Sequence, residues 1–164
     1  MSARAALLLL VVGGCAALGT GDALDPLPTR AAGDAGADGG AQLRVEIGTG
    51  SSAYEPLAEG ALVDVVEGPQ GGFHIWTSVR VHDPTLVVAR VDLSARFADD
   101  GLPAGPPSSS TAPLVLVGVV CEHAGMTSFI TDPARVRGQR VVLHVEVSVP
   151  GGRRGSAERT VIPR

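Results

Sequence analysis

The chain has 164 residues, with 13 basic and 17 acidic side chains, a formal net charge of −4, 45% hydrophobic residues and 3% aromatic ones. Mild acidity argues against a nucleic-acid partner, which calls for a basic face. The length leaves room for one domain of ordinary size, and the two cysteines bound any disulfide framework at a single bridge.

The first element is a short leader. Met1 to Arg4 supplies a basic start, Ala5 to Val12 an apolar core, and Gly13-Gly14 the small residues at a cut site. That order and size predict a secretory signal over residues 1–14. A spanning helix needs about 20 apolar residues, and this run falls short even when extended through Leu18. Paired glycines weaken it further as a helix.

Val12-Gly13-Gly14-Cys15 resembles the lipobox of bacterial lipoproteins: an aliphatic residue, two small residues, then cysteine. The resemblance implies a diacylglycerol on the Cys15 thiol, cleavage between Gly14 and Cys15, and acylation, as by palmitate, of the new amine. It further implies a bacterial cell-envelope address, and Ala16 after Cys15 resembles an outer-membrane sorting pattern. Each buried methylene contributes about 0.8 kcal/mol, so one chain holds weakly and two or three hold firmly. With Cys15 lipidated, Cys121 is the remaining thiol and no intrachain disulfide is available.

Residues 15–41 read as a flexible linker. Gly-Thr-Gly-Asp, Asp-Pro-Leu-Pro and a run of Ala, Gly and Asp contain almost no large apolar residue, too little to offset ordering entropy. Asp22, Asp25, Asp34 and Asp38 read as part of a solvated linker rather than a calcium site, since the sequence offers no strand or helix to converge them.

From Gln42 onward, over residues 42–164, the period is two. Leu43, Val45 and Ile47 alternate with Arg44 and Glu46. Leu62 to Glu67 reads as a second short strand. Phe73, Ile75, Thr77, Val79 and Val81 form one face of a longer strand opposite His74, Trp76, Ser78, Arg80 and His82. Asp83-Pro84 turns the chain into Val87 to Phe97, again alternating. Pro106 to Ser110 reads as a loop. Leu114 to Cys121 is almost wholly apolar, which predicts a strand covered on both faces or sandwiched centrally. Asp132-Pro133 is a turn, Pro133 to Arg140 holds at most a turn or two of helix, and Val141 to Ile162 reads as a closing hairpin.

Seven or eight short strands predict an all-β, antiparallel β-sandwich. The last hairpin resembles the closing pair of immunoglobulin-like and fibronectin-type domains. Tyr54-Glu55-Pro56-Leu57 through Gly60, with Val65 to Ile75, resembles a segment of uncharacterised envelope lipoproteins of GC-rich bacteria, a genome type that the all-arginine basic set and the abundant Ala, Gly and Val also fit. That resemblance implies family membership and no chemistry.

Two clusters stand out as candidate sites. Trp76 flanked by His74 and Arg80 makes a possible binding surface, since Trp and Arg are enriched at recognition hot spots. Cys121, His123 and Met126, with His74, loosely resemble the ligand loop of blue-copper proteins, themselves envelope β-sandwiches, and so form an alternative copper site. There is no Gly-x-Ser-x-Gly, His-Glu-x-x-His or Cys-x-x-Cys motif, so no catalytic residue and no resident cofactor is expected. The expected function is non-catalytic: a binding or structural domain held to a membrane through Cys15, its partner a protein or an envelope polymer. A copper-carrying electron-transfer or metal-delivery protein is the alternative.

Overall fold

The computed structural model describes residues 42–164; the leader, the Cys15 motif and the linker lie outside them. The described part falls within one compact unit, Asp38–Arg164. Its strands are β1 (Val45–Thr49), β2 (Glu55–Pro56), β3 (Ala61–Val63), β4 (Val66–Glu67), β5 (Phe73–Val81), β6 (Val88–Phe97), β7 (Ser108–Pro113), β8 (Val115–Val117), β9 (Val120–Ile130), β10 (Val141–Ser148) and β11 (Arg154–Pro163). One short helix, α1 (Pro133–Val136), joins β9 to β10.

Alternation decides which way each strand faces. Val141, Leu143, Val145 and Val147 of β10 are fully buried, while Val142, His144, Glu146 and Ser148 between them are half-exposed. On β6, Ala89, Val91, Leu93, Ala95 and Phe97 point inward in the same way. The strands form two sheets, ordered β2-β1-β5-β9-β8, with β4 also on β5, and β3-β11-β10-β6-β7. Their inner faces share one apolar core, with Ile47, Ile75, Val79, Val81, Leu143 and Val161 among its most enclosed members. The whole is an all-β, two-sheet sandwich.

Four details depart from the sequence reading. Leu62 to Glu67 is two strands: β3 lies in the second sheet, and Asp64-Val65 carries the chain back to the first for β4. The β3–β11 pair is parallel, so the sandwich is not wholly antiparallel. Ser108 to Pro113, expected to begin in a loop, is the edge strand β7. The apolar run Leu114 to Cys121 is neither central nor covered. Leu114 crosses between the sheets, β8 is an edge strand, and Gly118-Val119 turns into β9. Val115, Leu116, Val117 and Val119 are 49–79% exposed.

β9 contains the main irregularity. Thr77 pairs with Met126 and Val79 with His123, so two residues of β9, Ala124 and Gly125, oppose Ser78 alone. Gly125, the second residue of the bulge, has φ +76°, and its N–H donates to the Gly50 carbonyl. The bulge inverts the parity of β9. Cys121 faces the core before it; Met126, Ser128 and Ile130 face the core after it.

Candidate functional site

The outer face of the first sheet carries Trp76, and its two ends behave differently. Around Arg80 the face is closed by charge pairing. Arg80 pairs with Glu122 opposite it on β9 at 2.7 Å and with Glu46 opposite it on β1 at 3.6 Å. Its guanidinium also lies 4.1 Å above the Tyr54 ring. The Glu122 hydrogen bond first, then the charges of Glu122 and Glu46, hold Arg80 above its ordinary pKa. Glu46 is drawn below the usual carboxylate range, first by its 2.7 Å hydrogen bond with His82. Arg80 is thus committed to its neighbours rather than presented to a ligand.

At the other end the face is aromatic. His74 and Trp76, two residues apart on one strand face, meet edge-to-face with centroids 4.5 Å apart. The Gly68–Gly72 turn between β4 and β5 folds beside His74, leaving it 6% exposed. His74 is therefore buried instead of standing on an open polar face, and desolvation lowers its pKa. Its Nε2 has no hydrogen-bond partner among the described residues.

Trp76 remains partly open, and it forms part of the wall of a cleft of about 320 Å³. Thr49 at the end of β1, with Gly50 and Ser51 after it, borders the cleft on one side, and Leu62 and Val63 of β3, with Asp64 after them, on another. Glu55, Asp64 and the 62%-exposed Leu62 also line it. Asp64 is paired with Arg164 at 2.8 Å and its pKa is lowered by that contact. The Thr49 hydroxyl donates to the Trp76 carbonyl at 2.9 Å, which fixes the backbone under the indole. Such a cleft offers one flat aromatic surface, an apolar lip and carboxylate acceptors, a set suited to an extended chain with apolar and cationic or hydroxyl groups. Leu62 and Asp64 escape a periodicity reading because they come from the crossover that looks like one strand.

The copper alternative fares differently. Cys121 is fully buried with its Sγ 3.1 Å from the Leu86 carbonyl, and His123 Nδ1 sits 2.7 Å from the Pro113 carbonyl. Met126 lies beyond the bulge. His74 pairs with Phe129 whereas Cys121 pairs with Val81, which sets the two about 23 Å apart along the sheet. The four residues are not brought together. Among the described residues no group of three His, Cys, Asp or Glu side chains is placed to hold a metal ion.

A second concavity, also about 320 Å³, lies on the outer face of the other sheet, lined by Asp92, Ser94, Ser109, His144 and Glu146. Arg90 and then Ser109 bind Asp92 and lower its pKa. No family model, curated protein or solved structure matches the chain. The site must therefore speak for itself.

Proposed function

We propose that the chain is a lipid-anchored protein of the bacterial cell envelope whose immunoglobulin-like domain binds, without catalysis, a protein or an envelope polymer. The observation that carries the binding reading is the Trp76 cleft, where a partly open indole sits between an apolar lip and the carboxylate of Glu55. Val12-Gly13-Gly14-Cys15, followed by a chain too polar to fold alone, supports the anchor, with signal removal before Cys15 and an outer-membrane address.

The immunoglobulin-like reading rests on connectivity. Labelled in chain order, β1, β5, β9 and β8 take the places of strands A, B, E and D in one sheet. β11, β10 and β6 take those of G, F and C in the other, with β7 added beside C. The inter-sheet disulfide of antibody domains has no counterpart among the described residues, and Trp76 is on the outer face of strand B rather than in the core of strand C.

The test is photo-cross-linking in intact cells from a probe at Leu62, on the cleft lip, compared with one at Arg96, on the far sheet. A discrete adduct from Leu62, absent from Arg96 and lost when Trp76→Ala is added, is the expected result. Equal labelling from both positions overturns the assignment. Membrane fractionation of Cys15→Ser, expected in the soluble fraction, tests the anchor separately.

A further inference from the structure

The sandwich has two unlike ends, and the chain enters at the apolar one. Val45, Val81 and Cys121 form one cross-strand row, so Gln42 to Arg44, the Asp83–Val87 turn and the β8–β9 turn all lie at the same end of the first sheet. Leu43 donates to the Arg154 carbonyl, and Ser148 pairs with both Arg90 and Arg154. The β10–β11 turn thus belongs to that end as well.

Apolar side chains crown it. Val119 is 79% exposed and Val87 75%, with Val115, Leu116 and Val117 of β8 beside them. Gly118, φ +64°, opens a two-residue turn closed by the Val117–Val120 pair, so the tip projects as a narrow hairpin. Surface valines scattered singly need no account; a contiguous cap of them on an edge strand does. Arg44, Arg90, Arg153 and Arg154 lie around this end together with the acids Glu46, Asp83 and Asp92. Glu46, Asp92 and Asp83 pair the first three, and Arg154 is exposed with no ion pair among the described residues. The opposite end carries Glu55, Glu59, Glu67, Asp99, Asp100 and Asp132, partly offset by Arg135, Arg137 and Arg140.

We infer that this end is a membrane-contact surface. The Val87, Val115–Val117 and Val119 cap enters the acyl–headgroup boundary of an anionic bilayer, while Arg154, the arginine there without an ion pair among the described residues, meets a lipid phosphate. The inference rests on the proposed Cys15 anchor, because the chain leading from Cys15 joins the domain through Gln42 at this end rather than at the acidic one. It also turns the Trp76 cleft away from the membrane toward a partner. A second copy fits the cap less well. In β8, register leaves the Leu116 backbone as the outward-facing pairing group between Pro113 and Gly118, too short an edge for stable strand addition.

The test uses the full lipidated chain in phosphatidylglycerol-containing vesicles, labelled with an environment-sensitive fluorophore at Val119→Cys or, as control, Leu102→Cys at the far end. Cys121 is fully buried and does not compete for label. The expected result is a blue-shifted Val119 probe quenched several-fold more strongly than the Leu102 probe by quencher-bearing acyl chains, the difference falling in neutral vesicles. Vesicle-bound protein whose Val119 probe is as water-exposed as Leu102 overturns the inference while sparing the anchor. Protein that fails to pellet with vesicles and has an unmodified Cys15 by mass spectrometry overturns both. A Val119 probe that is blue-shifted but insensitive to lipid-borne quencher indicates self-association and also overturns it.

Discussion

His74 shows how one buried polar atom sets a pH response. Its ring is desolvated, so its folded pKa lies below the unfolded value of 6.5. A lowered histidine pKa means that the unfolded chain takes up the proton first as pH falls. The contribution of His74 to stability is therefore full above pH 6.5 and declines as pH drops through and below that value, until the folded ring also protonates. The slope for one proton is at most about 1.4 kcal/mol per pH unit. His74→Leu is expected to flatten the change in urea midpoint between pH 7.5 and 5. It is also expected to be neutral or stabilising by about 1 kcal/mol at pH 7.5, because it removes an unpartnered Nε2. An unchanged pH slope in the variant assigns the response elsewhere. Arg80 makes the contrary case, a polar group fully engaged. Its contacts with Glu122, Glu46 and the Tyr54 ring are partly exposed, which discounts the ion pairs. A double-mutant cycle on Arg80→Ala and Glu122→Ala is expected to give a coupling of about 1 kcal/mol in chemical denaturation. Asp83 adds an acid limb: Thr85 and then Arg153 hold its carboxyl at about 2, so that contribution is lost only as pH falls from 3.8 toward 2.

Among the elements, β9 decides the most, and it was the least legible. Strict alternation runs through β6 and β10, where every second residue is buried, and those strands could be read residue by residue. In β9 the bulge at Ala124-Gly125 shifts the parity, so no single period describes Val120 to Ile130. Gly125 makes the shift possible. A Cβ there would stand 2.5 Å from the Ser51 carbonyl oxygen, in a backbone region that L side chains avoid. Gly125→Ala is expected to cost about 2–3 kcal/mol, lowering Tm by roughly 5–12 °C. The same shift also displaces Ser51 and Gly50, which border the Trp76 cleft, so partner cross-linking from Leu62 should weaken with it. A wild-type melting curve would show that the β1–β2 connection yields freely. The Leu114 to Cys121 run illustrates a different limit. Apolarity alone does not separate a strand buried on two faces from an exposed one, and only pairing shows that β8 has a neighbour on one side. The cleft was half legible for a like reason. Trp76 stood out as the chain's one tryptophan, but Leu62 and Asp64 join it through a crossover between sheets.

At the scale of the molecule, the core and the surface ask for different experiments. The inner faces carry aliphatic side chains, Ile47, Ile75, Leu143 and a set of valines, and Cys121 is sealed among them with its thiol against the Leu86 carbonyl. Free cysteine in such a site packs as a small hydrophobe. Thiol reactivity therefore reports global opening. In the native full chain Cys121 is expected to resist an aromatic disulfide reagent, reacting at a rate that rises with urea in parallel with loss of β-sheet signal. Rapid reaction without denaturant would instead mean that the edge formed by β8 opens locally. The two outcomes separate because β8 covers Cys121 from one side only, pairing Leu116 against it. Weakening that edge by Leu116→Ser should speed labelling without moving the global midpoint by more than about 1 kcal/mol, since Leu116 is 56% exposed and loses little buried area. A large drop in the midpoint would make β8 part of the cooperative core rather than a loosely held edge.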